Sequence, residues 1–216
     1  MHTPLHGAGA PSPWLQRWAH LLPVDGRVLD LACGRGRHLR WLAGHANRAG
    51  GGLCGIDRDA AALAASADLA AAGQVELIEA DVENGPWPCP GRQFDAVLVF
   101  NYLWRPLWPR LLESLAPGGL LIYETFAHGN QTVGKPSRPD FLLQPGELLA
   151  RCAGLSVLAY EDGFLDAPAR FVQRVVAVWP AAVAESADIA AAPARHALLP
   201  PGPPGPPEPP EPREPH

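Results

Sequence analysis

A chain of 216 residues, 47% of them hydrophobic, has room for one domain with a sizeable core. Its formal net charge of −5, with Lys and Arg scattered, argues against an extended nucleic-acid or anionic-membrane footprint. Four widely spaced cysteines (Cys33, Cys54, Cys89, Cys152) make no C-x-x-C pair, which excludes a common zinc pattern and a dense disulfide framework and points to a reducing compartment. No basic segment leads into an apolar stretch at the start, and no run approaches the ~18 apolar residues that span a bilayer. A cytoplasmic protein is expected.

In chain order, Ser12-Pro13 supplies an N-cap and first helical residue for a helix through Leu22, with Trp14, Leu15, Trp18 and Leu21 on one face. Arg27–Leu31 reads as a buried strand and Arg37–Asn47 as a helix. Gly52–Ile56 is a second strand, Asp59–Ala72 a second helix closed by Gly73, and Val75–Glu79 a third strand. Phe94–Phe100 is the clearest strand, followed by a helix over Pro106–Leu115, a Pro117-Gly118-Gly119 turn and a strand Leu120–Glu124. After a loop, Thr125–Gln144, come a helix from Pro145 to Gly154 and two strands, Ser156–Tyr160 and Val172–Trp179, spaced as a terminal antiparallel hairpin.

Short, continuously apolar strands alternating with helices mark a parallel sheet covered on both faces. The expected organisation is a lead-in over residues 1–25, one α/β domain over 26–180, and an Ala- and Pro-rich tail over 181–216. Within that tail Ala181–Ala197 is rich in helix formers, while Pro200–His216 is too polar and proline-rich to build a core.

The informative stretch is Val28-Leu29-Asp30-Leu31-Ala32-Cys33-Gly34-Arg35-Gly36-Arg37-His38. A strand ends in an acid, and a Gly-x-Gly turn then opens a helix whose N-terminal N–H groups face a carboxylate or phosphate. Asp57 follows the second strand ~20 residues on, where an acid bonds a ribose hydroxyl in dinucleotide-type folds. Asp81 follows the third strand, placed to read an adenine amino group. The plainer reading of either acid alone is a cap on the next turn. Together, three strand ends converge on one crevice, where open α/β sheets bind ligands. NAD would want a third glycine in G-x-G-x-x-G, but Leu39 stands there.

The series VLDLACGRGRHLRWLA, GIDRD, EADVENGPWP, FDAVLVFNYL and LAPGGLLIYETF, in this order, resembles the motifs of class I S-adenosylmethionine-dependent methyltransferases over roughly Leu29 to Trp179. Among subgroups the chain is most similar to small bacterial methyltransferases of the tellurite-resistance type. The resemblance implies a doubly wound, Rossmann-like, seven-stranded, mostly parallel sheet with an antiparallel last strand. It implies S-adenosylmethionine as cofactor, with Asp30, Ala32, Cys33, Gly34 and Gly36 around the methionine moiety. Asp57 and Arg58 would then meet the ribose, Asp81 and Val82 the adenine, and Asn101 the sulfonium. Many members have glycine in place of Ala32, a change that would tighten the turn.

Methyl transfer is an in-line displacement that rests largely on positioning, with a general base only where the nucleophile arrives protonated. No Asp/Asn-Pro-Pro-aromatic box follows the fourth strand, which lowers the odds of methylating a base amine. Candidates around the acceptor are Asn101, Tyr102 and Arg105 after that strand, then Tyr123, Glu124, Thr125, His128, Asn130, Lys135 and Arg138 in YETFAHGNQTVGKPSRPDFLL. Long polar loops in compact domains are commonly functional, so Thr125–Gln144 reads as an acceptor-binding lid. Asn101, Tyr123 and His128 are the catalytic candidates. His128 alone has a side chain that titrates near neutrality, although a surface histidine is the simpler reading. Lys135 and Arg138 suit an anionic acceptor or simple solvation. No metal site is expected. The preferred partner is a small-molecule methyl acceptor, with an RNA- or protein-modifying enzyme and a non-catalytic cofactor-binding protein as rivals.

Overall fold

A computed structural model of the chain describes residues 9–44, 52–180 and 195–198. Seven strands form one sheet: β1 (Val28–Leu31), β2 (Leu53–Asp57), β3 (Val75–Glu79), β4 (Phe94–Phe100), β5 (Leu115–Phe126), β6 (Ser156–Asp166) and β7 (Ala169–Val178). Their order is β3-β2-β1-β4-β5-β7-β6; β7 runs antiparallel to both neighbours, and the pairings from β3 to β5 are parallel. This is the doubly wound, mostly parallel Rossmann-like sheet with an antiparallel last strand that the sequence implies.

Helices cover both faces, which explains why all four residues of β1 are buried. On one face lie α1 (Pro13–Trp18), α2 (Arg37–Ala43), α3 (Ala60–Ala64) and α4 (Ala67–Ala71), packing Trp14, Trp18, Leu39 and Leu63 against Val28, Leu98 and Ile122. On the other lie α5 (Trp108–Glu113) and α6 (Glu147–Arg151), packing Trp108, Leu111 and Leu148 against Leu29, Val97 and Leu121. The period-2 alternation of β1 puts Asp30 on the first face, towards α2. Between β1 and β4 the strand order reverses, and the crevice opens there, at the carboxyl ends of the parallel strands.

Four elements differ from expectation. The single helix over Asp59–Ala72 is two short ones, because buried Ser66 turns its hydroxyl to donate to the Arg35 carbonyl at 2.9 Å. The helix expected over Arg37–Asn47 closes at Gly44, and residues 45–51 lie outside the described ones. The strand after α5 starts at Leu115, with Pro117-Gly118-Gly119 as an irregularity inside it: the register jumps from Phe94↔Leu115 to Ala96↔Leu120. The terminal hairpin is longer than its apolar cores, since Gly163–Asp166 go on pairing with Ala169–Val172. Among the described residues no helix is long and apolar enough to cross a membrane. The tail expected beyond Pro180 lies outside the described residues, apart from 195–198.

Candidate active site

At the crevice a cleft of about 490 Å³ is lined by strand-end residues Ala32, Asp57, Arg58, Asp81, Val82 and Asn101, with Thr125, Phe126, Lys135, Pro136 and Phe141 across from them. A cleft of this size falls within the usual range for small-molecule sites, ~300–1,000 Å³.

The turn after β1 is shaped by its neighbours. Gly34 N–H donates to Asp57 Oδ2 at 2.7 Å, and Asp59 N–H to Asp57 Oδ1 at 3.0 Å. Each carboxylate oxygen keeps a further lone pair for a ligand hydroxyl. Gly36 adopts φ +71°, and a Cβ there would meet Ser66 Oγ at 2.2 Å, so only glycine fits. At Gly34 an added Cβ would meet nothing within 4 Å; that side of the turn is open to a ligand. Ala32 and Asn101, at the ends of the two switch-point strands, hold φ of +53° and +57°, which side-chain-bearing residues seldom adopt. Glycine would suit the Ala32 backbone better, as the family resemblance suggests. Strained backbone of this kind clusters at functional sites.

Asp81 is both a cap and a cleft residue. It caps its own turn, with Oδ1 accepting from the N–H groups of Glu83 and Asn84 and Oδ2 from Asn84 Nδ2, and it lines the cleft. The Asn84 amide, then the Glu83 N–H, hold its carboxyl below the usual range. Tyr102 donates its hydroxyl to Glu83 Oε1 at 3.3 Å, and burial followed by that carboxylate pushes its phenol up.

Behind the turn lies a buried polar cluster. Ser12 N–H donates to His38 Nε2 at 3.3 Å, which puts the ring proton on Nδ1, 3.6 Å from Asp30 Oδ2. Asp30 is 1% exposed, and its Oδ2 has no hydrogen-bond partner among the described residues. Glu124, fully buried at the end of β5, accepts from Ser12 Oγ at 3.2 Å, Arg170 at 3.2 Å and Arg174 at 3.4 Å. Burial pushes the Cys33 thiol up, with the Asp30 and Asp57 carboxylates adding to it.

The loop expected from Thr125 begins instead at Ala127, because Thr125 and Phe126 still pair with β7, and it is tied down at two places. Asn130, 1% exposed, donates to the Pro136 carbonyl at 2.9 Å and accepts from Phe171 N–H at 3.2 Å. Arg105 donates to the carbonyls of Asp140 (2.8 Å) and Leu142 (2.9 Å) while its guanidinium grips Glu147. Arg105, an acceptor candidate in the sequence, is therefore a clamp on the loop. Arg138 pairs with Asp140 at 2.7 Å.

The structure brings Ala32, Asp57, Arg58, Asp81, Val82 and Asn101 together on the cleft wall; Asp30, Cys33, Gly34 and Gly36 lie behind or beside it. Tyr123 is in the core, its hydroxyl donating to the Tyr102 carbonyl at 2.8 Å. His128 is exposed and lines no part of the cleft. Trp108 packs in the core and donates to the Arg151 carbonyl. Cleft residues not singled out beforehand include Glu83, Phe126, Pro136 and Phe141. Proximity to Asp81 and membership of the long loop were the available signals. Among the described residues no three His, Cys, Asp or Glu side chains gather to hold a metal.

Residues 28–119 match the model of a family described as a methyltransferase domain. Over those residues the chain resembles a methyltransferase domain. That match spans β1 through the Pro117-Gly118-Gly119 irregularity, and so covers every strand end on the cofactor side of the cleft. No curated protein sequence matches the chain. Several solved structures share its fold. The 4+2 cyclase SpnF aligns at TM-score 0.59 and 20% identity, over 78% of each chain. An S-adenosylmethionine-dependent methyltransferase from Aquifex aeolicus aligns at 0.56 and 19%, over 77% of this chain and 93% of that one. The N-methyltransferase NodS from Bradyrhizobium japonicum WM9 aligns at 0.57 and 17%, over 78% and 98%. At these identities the likeness speaks to fold alone, and a cyclase among them illustrates that a fold does not fix a reaction.

Proposed function

We propose that the protein is an S-adenosylmethionine-dependent methyltransferase that acts on a small-molecule acceptor, held between the cofactor and the loop that follows β5. The observation that carries this is the two-sided cleft: acids and the glycine turn on one wall, and a clamped loop with Phe126, Lys135, Pro136 and Phe141 on the other. Its volume of about 490 Å³ suits a cofactor and a compact acceptor rather than a folded macromolecule. Several neighbours of the same fold act on small molecules by their own descriptions, such as coclaurine N-methyltransferase, and the resemblance to small tellurite-resistance-type enzymes is consistent with this.

The residues present fit the cofactor. In this reading Asp57, with Arg58 beside it, takes the ribose hydroxyls through its remaining lone pairs. Asp81 accepts from the adenine amino group, and Val82 packs on the ring. Ala32, Cys33, Gly34 and Gly36 give the methionine portion room, and Asp30 stands behind the turn with its Oδ2 towards His38 Nδ1, so that its charge favours the methionine ammonium across the turn. Bound there, S-adenosylmethionine would supply a methyl carbon activated by its sulfonium, open to in-line attack by the acceptor's lone pair with the carbon–sulfur electrons left on sulfur. Asn101, on its left-handed turn, orients the pair, and the loop excludes water. The Tyr123 hydroxyl is engaged with a carbonyl and His128 lies outside the cleft, so neither is assigned as a base. Positioning carries the catalysis.

Calorimetric titration with S-adenosylmethionine and separately with NAD, on wild type and Asp57→Ala, tests this reading. The expected result is saturable binding of the sulfonium donor alone, weakened by the substitution, followed by S-adenosylhomocysteine release with small acceptors. Binding of NAD in its place, or turnover only on RNA or protein, overturns it.

A further inference from the structure

The charged side chains of the cleft wall differ in one respect. Asp57 and Asp81 each hold backbone N–H groups, and Glu83 takes the Tyr102 hydroxyl. Arg58, beside Asp57 on the opposite wall, lies in the field of Asp81 and, like Lys135, makes no hydrogen bond or ion pair among the described residues. Lys135 lines the same cleft and has no hydrogen-bond or ion-pair partner among the described residues. The neighbouring cation on the loop, Arg138, is occupied by Asp140 and lies over the Phe141 ring at 5.3 Å.

Lys135 is also placed by a rigid support. The residue after it, Pro136, is held through its carbonyl by buried Asn130, which is itself fixed to β7 through Phe171 N–H. Six residues on, Phe141 follows Asp140, whose carbonyl Arg105 holds. The loop thus presents one unpaired ammonium flanked by apolar surface from Phe126, Pro136 and Phe141, and Phe141 is left 41% exposed. An exposed ammonium beside apolar walls favours an anion attached to a flat apolar body over a neutral or cationic ligand.

We infer that the acceptor is an aryl or similarly apolar organic acid, its carboxylate paired with Lys135 and its body packed on Phe126, Pro136 and Phe141. This rests on the reading that the loop side of the cleft receives the acceptor. The carboxylate is a handle; the group that is methylated sits elsewhere on the molecule, towards Asn101.

The test titrates the protein saturated with S-adenosylhomocysteine. Probes are phenylacetate, 3-phenylpropanoate and indole-3-acetate, each against its neutral amide, with inorganic phosphate as a bare anion. At least one acid is expected to bind about tenfold tighter than its amide, the scale of one charge-assisted contact, and about tenfold tighter than phosphate. That preference should fall to under about threefold in Lys135→Gln and persist in Lys135→Arg. Equal binding of acid and amide, a preference that survives Lys135→Gln, or phosphate binding as tightly as the acid overturns the inference while leaving the donor site standing. Failure of S-adenosylhomocysteine itself to bind wild type overturns both.

Discussion

The backbone N–H of Gly34 donates to Asp57 Oδ2 across 2.7 Å, so the end of β2 holds the turn that follows β1. One carboxylate therefore shapes the turn and faces the cleft. Asp57→Asn keeps a single acceptor oxygen and loses the charge. We expect it to cost about 1–2 kcal/mol of stability in a denaturant titration, and to weaken S-adenosylmethionine binding roughly ten- to a hundredfold by calorimetry. Unchanged affinity would detach Asp57 from the donor.

Ala32 holds φ +53°, a conformation costly to any residue with a Cβ. Ala32→Gly relieves that strain but loosens the unfolded chain, so its expected effect is between zero and about +1 kcal/mol. Ala32→Val, with a branched side chain in the same conformation, should lose about 2 kcal/mol or more. Equal loss in both variants would mean that the space around the methyl group, and not the backbone, sets the cost.

Arg105 fastens the loop to α6. Removing it in Arg105→Ala frees the Asp140 and Leu142 carbonyls and leaves Glu147 with Arg151. With the guanidinium about one-third exposed, a loss of roughly 1.5–3 kcal/mol is expected. Acceptor KM should rise while donor affinity holds. A donor affinity that fell in step would show the loop supporting both halves of the site.

Glu147 carries a pH signature. Burial alone would raise its carboxyl, but bonds from Arg105, the Gln144 N–H and Arg151 outweigh that and hold it at about 2. The unfolded carboxyl titrates near ~4.3, so on acidification the unfolded chain takes up the proton first. The contribution is full above about pH 4.3 and is lost as pH falls towards 2. Melting curves between pH 6 and 3 should decline less steeply for Arg105→Ala than for wild type, and parallel curves would assign the clamp to packing.

All four cysteines are free and buried. Burial pushes Cys54 and Cys152 up to about 12 and raises Cys33 and Cys89 as well. Thiolate is the reactive form, so a colorimetric thiol titration at pH 8 should find almost no reaction in the native protein and all four thiols after unfolding. A rapid first equivalent would mark local opening at one of them.

Much of the cofactor side was legible because its information is local. Strand, acid, Gly-x-Gly and helix lie in one stretch, and Asp57 and Asp81 each follow an apolar run of strand length. The Ser66 break was hidden because its cause, the Arg35 carbonyl, is 31 residues away. The full length of β6 and β7 was hidden because their outer halves, such as Gly163-Phe164-Leu165-Asp166, pair with each other and need no apolar face. Tyr123 and His128 were drawn into the site by residue type, yet an aromatic at the centre of β5 is wanted by the core first. Lys135 was one charge among several in a loop until Asp140 claimed Arg138 and the two tethers fixed the backbone.

The ties of α1 have a consequence for assembly. Ser12 reaches Glu124 112 residues away, Arg17 reaches Glu161 at a separation of 144, and the Trp14 indole donates to the Val175 carbonyl at 161. This helix takes its place only once the strands that receive it, β5, β6 and β7, have been made. Until β7 pairs with β5, the buried indole of Trp14 lacks the Val175 carbonyl that takes its N–H. Closure of α1 over Asp30 and Glu124 then reports that the antiparallel edge of the sheet is complete, so a segment from before β1 serves as a check on strands made more than 100 residues later.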